Sequence, residues 1–226
     1  MGRAVRIVLV LPALAALVAL ALWAVKLGSA ETLAWNAAAE INTWTATRVQ
    51  PGFETWLWVR DDLLRAERRS SHDPSVQELL GVIHARRAGR TEFVEMAVER
   101  FARAIELRPT SPYTWANMAV ARYELGKTDA PFEAILVRSA FLGPSEPEVQ
   151  RTVADLGLAM WDEITPATRA LVERHIAAGM RRNPLEMLQI SFRRGRLEPA
   201  CRHLVPGKLA MQEPFWLQQC QSGRKP

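Results

Sequence analysis

Residues 104–126 read AIELRPTSPYTWANMAVARYELG. An apolar-striped segment runs into Arg108-Pro109, and a second one opens at Pro112 and stops at Gly126. Proline has no backbone N–H and disfavours helix in the residue before it, so this stretch reads as a helix, a tight turn and another helix. The outline recurs along the chain. Pro74, Pro109 and Pro144 follow one another every 35 residues, and Pro184 comes 40 residues later. Two amphipathic segments per period of this length predict an array of stacked helix pairs. The expected helices cover 53–70, then 75–88 with 92–107, 112–126 with 130–142, and 146–161 with 166–182. Pro112, Pro147 and Pro166 fall in first turns, where the missing N–H costs least. Gly89 and Gly126 fall at the ends of first helices, where a left-handed residue closes the turn.

The composition agrees. Of 226 residues, 49% are hydrophobic and 23% charged, enough apolar material for a buried core. Ala, Leu, Arg and Glu dominate over β-branched residues, so the expected fold class is all-α. The net charge of +5 is spread among acidic residues. The pairs Arg68-Arg69, Arg86-Arg87, Arg181-Arg182 and Arg193-Arg194 read as solvated helix faces and ends. No nucleic-acid signature accompanies them.

The chain opens MGRAVRIVLVLPALAALVALALWAVKL, and from Ile7 to Leu27 only Lys26 is charged. Such a run, about 31 Å long as a helix, matches the hydrocarbon core of a bilayer. Trp23 and Lys26 suit the far interface. Arg3 and Arg6 precede the span, and the next basic residue after Lys26 is Arg48. The positive-inside rule then places 1–6 in the cytoplasm and the remainder across the membrane, in a bacterium the periplasm. Gly28-Ser29-Ala30 resembles a signal-cleavage site, but the apolar run is longer than a signal peptide's core, and an uncleaved anchor is the expectation. The predicted organisation is 1–6 cytoplasmic, 7–27 transmembrane, 28–52 a juxtamembrane helix, 53–184 the array, and 185–226 a C-terminal cap built as a short helical hairpin.

Cys201 and Cys220 are the two cysteines. In an oxidising compartment they read as one disulfide stapling the C-terminal hairpin; two free buried thiols are the alternative. The residues suggest no catalytic, cofactor-binding or metal site. His72, His84, His175 and His203 form no pair at metal spacing. Asp61-Asp62 and Asp162-Glu163 are helix neighbours that point apart, unlike carboxylates facing across a cleft. Thr165-Pro166 reads as the cap of the helix that follows. Eight tryptophans are an excess, and Trp23, Trp35, Trp44, Trp56 and Trp58 fall in the first 58 residues. Trp35 and Trp44, just past the span, are candidates for partner contact beside core packing.

Leu80-Gly81, Ala97, Phe101, Ala104 and Pro109 in the first unit, and Trp115, Ala119, Ala140 and Pro144 in the second, resemble the tetratricopeptide repeat. In that pattern small residues let paired helices approach and aromatics fill the gaps between pairs. The likeness covers about residues 53–184, with His84 at a Tyr position, Met118-Ala119 in place of Leu-Gly, and a looser third unit. It implies a surface for protein partners. More narrowly, the cationic N-terminus, the single span and the run SAFLGPSEPEVQRTVADLGLAMWDEITPATRALVERHIAAGMRRNP are similar to VpsP-type accessory proteins of bacterial exopolysaccharide clusters. That resemblance implies an inner-membrane accessory of polysaccharide biosynthesis or export, with no chemistry of its own. A separate reading of the residues is an acidic-polysaccharide groove lined by Arg86, Arg87, Arg90, Arg181, Arg182 and exposed tryptophans, which requires those arginines to converge on one face. The packing role assigned to Trp115 predicts that Trp115→Ala lowers the thermal unfolding midpoint, read by circular dichroism; an unchanged midpoint overturns it.

Overall fold

A computed structural model describes residues 3–47, 49–87, 89–205, 207, 209 and 213–222; side chains are described from residue 12 onward, apart from that of residue 213. The side chains of Arg3 and Arg6, residues 1–2, Arg48 and most of the loop 206–212 lie outside the described residues. Among the described residues the chain forms eleven α-helices and no strand. It divides into two compact units, 1–88 and 89–226. The division falls within the stretch 75–107, which the sequence reads as the first helix pair.

The first unit holds α1 (Arg3–Thr47), α2 (Phe53–Arg69) and α3 (Pro74–Ala85), each in contact with the other two. α1 is one unbroken helix about 68 Å long, which joins the segments 7–27 and 28–52 that the sequence reads as separate elements. The hydroxyls of Ser29 and Thr32 bond back to the carbonyls of Lys26 and Gly28, so these polar residues are satisfied inside the helix. Pro12 lies inside α1 rather than in its first turn. By length and composition α1 can cross a membrane. Its apolar residues from Leu14 to Val25 are exposed, whereas Ala30, Ala34, Ala37, Ile41 and Trp44 form a buried stripe at three- and four-residue spacing.

That stripe belongs to a core with Trp56, Val59, Leu63 and Ala66 of α2 and Val76, Leu80 and Ile83 of α3. Alanines at the crossing let the backbones approach. The indole N–H of buried Trp56 donates to the Ile83 carbonyl at 2.9 Å. Ile83 lies in the last turn of α3, where carbonyls lack an intrahelical donor, so one bond satisfies two buried groups. Asp73 caps α3 by accepting the Ser75 N–H at 2.8 Å.

The second unit holds α4 (Thr91–Leu107), α5 (Pro112–Glu124), α6 (Ala130–Leu142), α7 (Pro147–Ala159), α8 (Pro166–Arg182), α9 (Pro184–Arg193), α10 (Glu198–Cys201) and α11 (Glu213–Ser222). From α4 to α10 each helix touches its sequence neighbour, and α5–α7, α6–α8, α7–α9 and α8–α10 touch as well. This next-but-one contact is the signature of stacked helical hairpins. The long-range bonds carry the period of the prolines. His175 to Ala140, Arg151 to Glu186 and Thr168 to Glu133 each join residues 35 apart.

Local chemistry sets the helix ends. Proline opens α5, α7, α8 and α9, as it opens α3. The four prolines first read as equivalent stops thus divide: Pro74 and Pro184 begin helices, while Pro109 and Pro144 lie in the turns before Pro112 and Pro147. α5 and α9 close alike. Gly126 and Gly195 have φ of 66° and 68°, and the N–H groups of Lys127 and Arg196 reach the carbonyls of Arg122 and Ser191, five residues back, at 2.9 Å. These are Schellman caps.

Two glycines set how closely helices pass. A Cβ on Gly157 of α7 would stand 2.3 Å from a Val172 methyl of α8, and one on Gly179 of α8 would stand 2.6 Å from the Met187 sulfur of α9. Gly157→Ala therefore costs stability by overpacking, about 1–3 kcal/mol. Thermal unfolding of Gly157→Ala, Val172→Ala and the double variant tests this. The double variant is expected to lose less than the two single losses combined, and simple additivity overturns the contact.

Candidate interaction surfaces

The residues singled out by the repeat likeness fall into two groups. Leu80, Gly81, Ala97, Phe101, Ala104, Ala119 and Ala140 are buried, and Pro109 and Pro144 are exposed in turns. Trp115 is half-buried, and its indole N–H donates to the Pro109 carbonyl at 2.9 Å. Its ring therefore ties down the turn between α4 and α5.

Trp35 and Trp44 separate. Trp35 is 71% exposed, whereas Trp44 is only 6% exposed and belongs to the first unit's core. Of the two readings, core packing or partner contact, Trp44 takes the first, and Trp35 stays exposed. The reason is geometric: nine residues at about 100° each place the two rings half a turn apart on a continuous helix. Beside Trp35, a groove lined by Leu27, Ala30, Ala34, Ser70, Asp73 and Leu79 runs along α1.

A second feature of the first unit combines aromatic and basic groups, which the sequence reading did not bring together. Phe53 stacks on Trp56 at 6.3 Å between centroids. The Arg87 guanidinium lies 4.8 Å from the Phe53 ring centre and 5.4 Å from that of Trp56, and Arg60 lies 5.3 Å from the latter. Arg86 donates to the Thr45 hydroxyl, and burial lowers the pKa of its guanidinium. Arg90, Arg181 and Arg182 belong to the second unit, where Arg182 donates to the Ser145 carbonyl at 2.9 Å.

The adjacent carboxylates have separate partners. Asp61 pairs with Arg60 at 2.7 Å, and buried Asp62 pairs with Arg65. Asp162 pairs with Arg196, while Thr165 caps α8 by accepting the Thr168 N–H. The Glu133 carboxylate accepts from the Thr165 N–H at 3.0 Å and from both threonine hydroxyls. Partial burial raises its pKa and these bonds lower it, and the net direction is down. Arg194 makes a two-pronged pair with Asp155 at 2.8 and 2.6 Å and lies 5.7 Å from the Tyr123 ring centre. Tyr113 donates to Glu146, and the Tyr113 hydroxyl's pKa is pushed up to about 12 by that bond. Tyr113 thus links α5 to the start of α7, and Tyr123 links it to the end of α9. Cys201 and Cys220 are joined by a disulfide with their Cα atoms 5.5 Å apart. Phe192, Phe215 and Trp216 meet edge-to-face beside it, with centroids 5.0–6.5 Å apart. Among the described residues no three His, Cys, Asp or Glu side chains gather where a metal ion would sit.

Buried His175 faces two carbonyls, Ala140 at 3.2 Å from Nε2 and Leu171 at 3.0 Å from Nδ1. A shallow hollow lined by Phe141, Pro144, Leu171, Arg174 and His175 lies beside it, and Phe141 is 72% exposed. Desolvation is the largest effect on the imidazole and lowers its pKa; the carbonyls oppose it, and the Arg174 charge adds to it. A His whose folded pKa is depressed is protonated more readily in the unfolded chain, so stability is lost as pH falls through and below 6.5. Wild type is expected to lose more thermal stability than His175→Gln between about pH 7.5 and about pH 5.5, measured by circular dichroism; parallel curves overturn this.

No protein-family model matches the chain, and no curated protein matches it significantly.

Proposed function

We propose that this protein is a membrane-anchored scaffold whose stacked helices hold protein partners beside the bilayer, as an accessory to exopolysaccharide biosynthesis or export. The observation that carries the reading is the change of environment along α1. Its apolar residues are exposed through Val25, and from Ala30 the same helix is built into a folded bundle. A tether of this kind raises the effective concentration of whatever the bundle binds without any new contact. Supporting features are the stacked hairpins of the second unit, which resemble the tetratricopeptide repeat, and the exposed aromatics Trp35, Trp58 and Phe141. Arg3 and Arg6 ahead of the span favour a cytoplasmic N-terminus, a periplasmic domain and a single pass through the inner membrane. That orientation also suits a disulfide between Cys201 and Cys220. The exopolysaccharide assignment rests on the likeness to VpsP-type proteins. The runner-up is a tetratricopeptide-type assembly factor or structural subunit of another inner-membrane complex.

An acidic-glycan module is the second reading, favoured by Arg60 and Arg87 lying over Phe53 and Trp56. In-membrane crosslinking of the tagged full-length protein, followed by mass spectrometry, decides. Glycosyltransferase, polymerase or export components are the expected crosslinks. Components of an unrelated membrane assembly overturn the exopolysaccharide assignment. Crosslinks to itself and lipid alone, with an acidic glycan retained by the protein, replace the scaffold with the glycan module.

A further inference from the structure

We infer that the turn between α2 and α3 is a lipid-binding element, with Arg68 and Arg69 engaging the phosphates of anionic phospholipids at the surface that α1 leaves. The inference rests on the reading of α1 as a membrane span, and it concerns the first unit alone.

The depth of the turn follows from two independent observations. α2 follows α1 within a few residues and packs back along it, and it has 17 residues. Counting the same length back from Thr47 brings the end of α2 level with about Glu31. The groove beside Trp35 gives the same placement, because Leu27, Ala30 and Glu31 of α1 share its walls with Ser70, Asp73 and Ser75. The lipid boundary follows from exposure: Val25 is 70% exposed and Ala30 only 2%. A helix rises about 6 Å between Leu27 and Glu31. The headgroup layer is about 5–7 Å deep on each side of the hydrocarbon. The first turn of backbone to cover α1 therefore lies at headgroup depth.

The sequence of that turn is Arg68-Arg69-Ser70-Ser71-His72, and Arg68, Arg69, Ser71 and His72 are exposed. Nearby carboxylates already have partners. Asp62 pairs with Arg65, Glu67 accepts from Gln77 at 2.9 Å, and Asp73 caps α3. Glu31 faces the groove, which assigns the phosphate to the outer side of the turn. Among the described residues neither Arg68 nor Arg69 has an ion pair, and Lys26, five residues before Glu31 on α1, is exposed. A guanidinium suits phosphate because its planar fork donates two parallel N–H bonds. Basic groups within a Debye length of an anionic leaflet are drawn to it. Ending α2 on two arginines then anchors the bundle to the surface as well as to the span.

The test uses the full-length protein in nanodiscs of phosphatidylcholine alone or with about a third phosphatidylglycerol, a content at which the surface attracts basic residues. Fluorophores are placed on Ser71→Cys or Leu20→Cys, Cys201 and Cys220 being joined to each other. Nitroxides on the headgroup or mid-chain report depth by quenching. The Ser71→Cys label is expected to be quenched by headgroup nitroxide at least twice as strongly with phosphatidylglycerol present, and Arg68→Gln/Arg69→Gln is expected to abolish that gain. Both arginines are exposed, so the double variant keeps its fold, checked by its helical circular dichroism. A Ser71→Cys label in bulk water, with the Leu20→Cys label quenched at mid-chain, overturns the inference and leaves the span standing. Equal quenching in both compositions, unmoved by the double variant, overturns the lipid assignment. A Leu20→Cys label in water removes the span and the inference with it.

Discussion

Val172 lies against Gly157 with no room for one more methyl group. That closeness holds α7 and α8 together as a hairpin, and hairpins are what the second unit stacks. A lone amphipathic pair leaves one face uncovered, and the next pair covers it. The 35-residue period of the prolines therefore reappears as the separation of residues that bond across the stack. His175 and Thr168 are the buried side chains that bond in that series.

Much of this order could be read in the sequence because its causes are local. Proline at a first helical position and glycine at a left-handed cap act over three or four residues, and the limits of α4 to α8 fall within a few residues of those expected. The packing glycines were less visible. Gly157 and Gly179 look like ordinary helix interiors until the partner side chain is known. The bonds from Glu133 to Thr165 and from Arg194 to Asp155 join residues 32 and 39 apart, and no local pattern announces them. The division at residue 88 was equally silent, since it falls inside a stretch that scans as one helix pair.

The candidate surfaces were legible only in part. The sequence divides the apolar run from the juxtamembrane segment at residues 27–28, but the hydroxyls of Ser29 and Thr32 fold back on their own helix and let it continue. Once α1 is continuous, the opposite fates of Trp35 and Trp44 follow from arithmetic. The arginines that stack on Phe53 and Trp56 lie in α2 and in the turn after α3, and only the folded unit brings them to the same rings.

An unbroken α1 also acts as a drive shaft. With no hinge between the apolar segment and the bundle, a membrane crossing by α1 would lock the azimuth of the first unit about the membrane normal to that of the crossing segment. One residue added near Gly28 would turn the bundle by about 100° relative to the buried part of the helix, and seven would bring it back to within about 20°. Any partner that grips both the apolar segment and the bundle must therefore match their angular phase, and tolerance to insertions there would follow the helical repeat rather than their length.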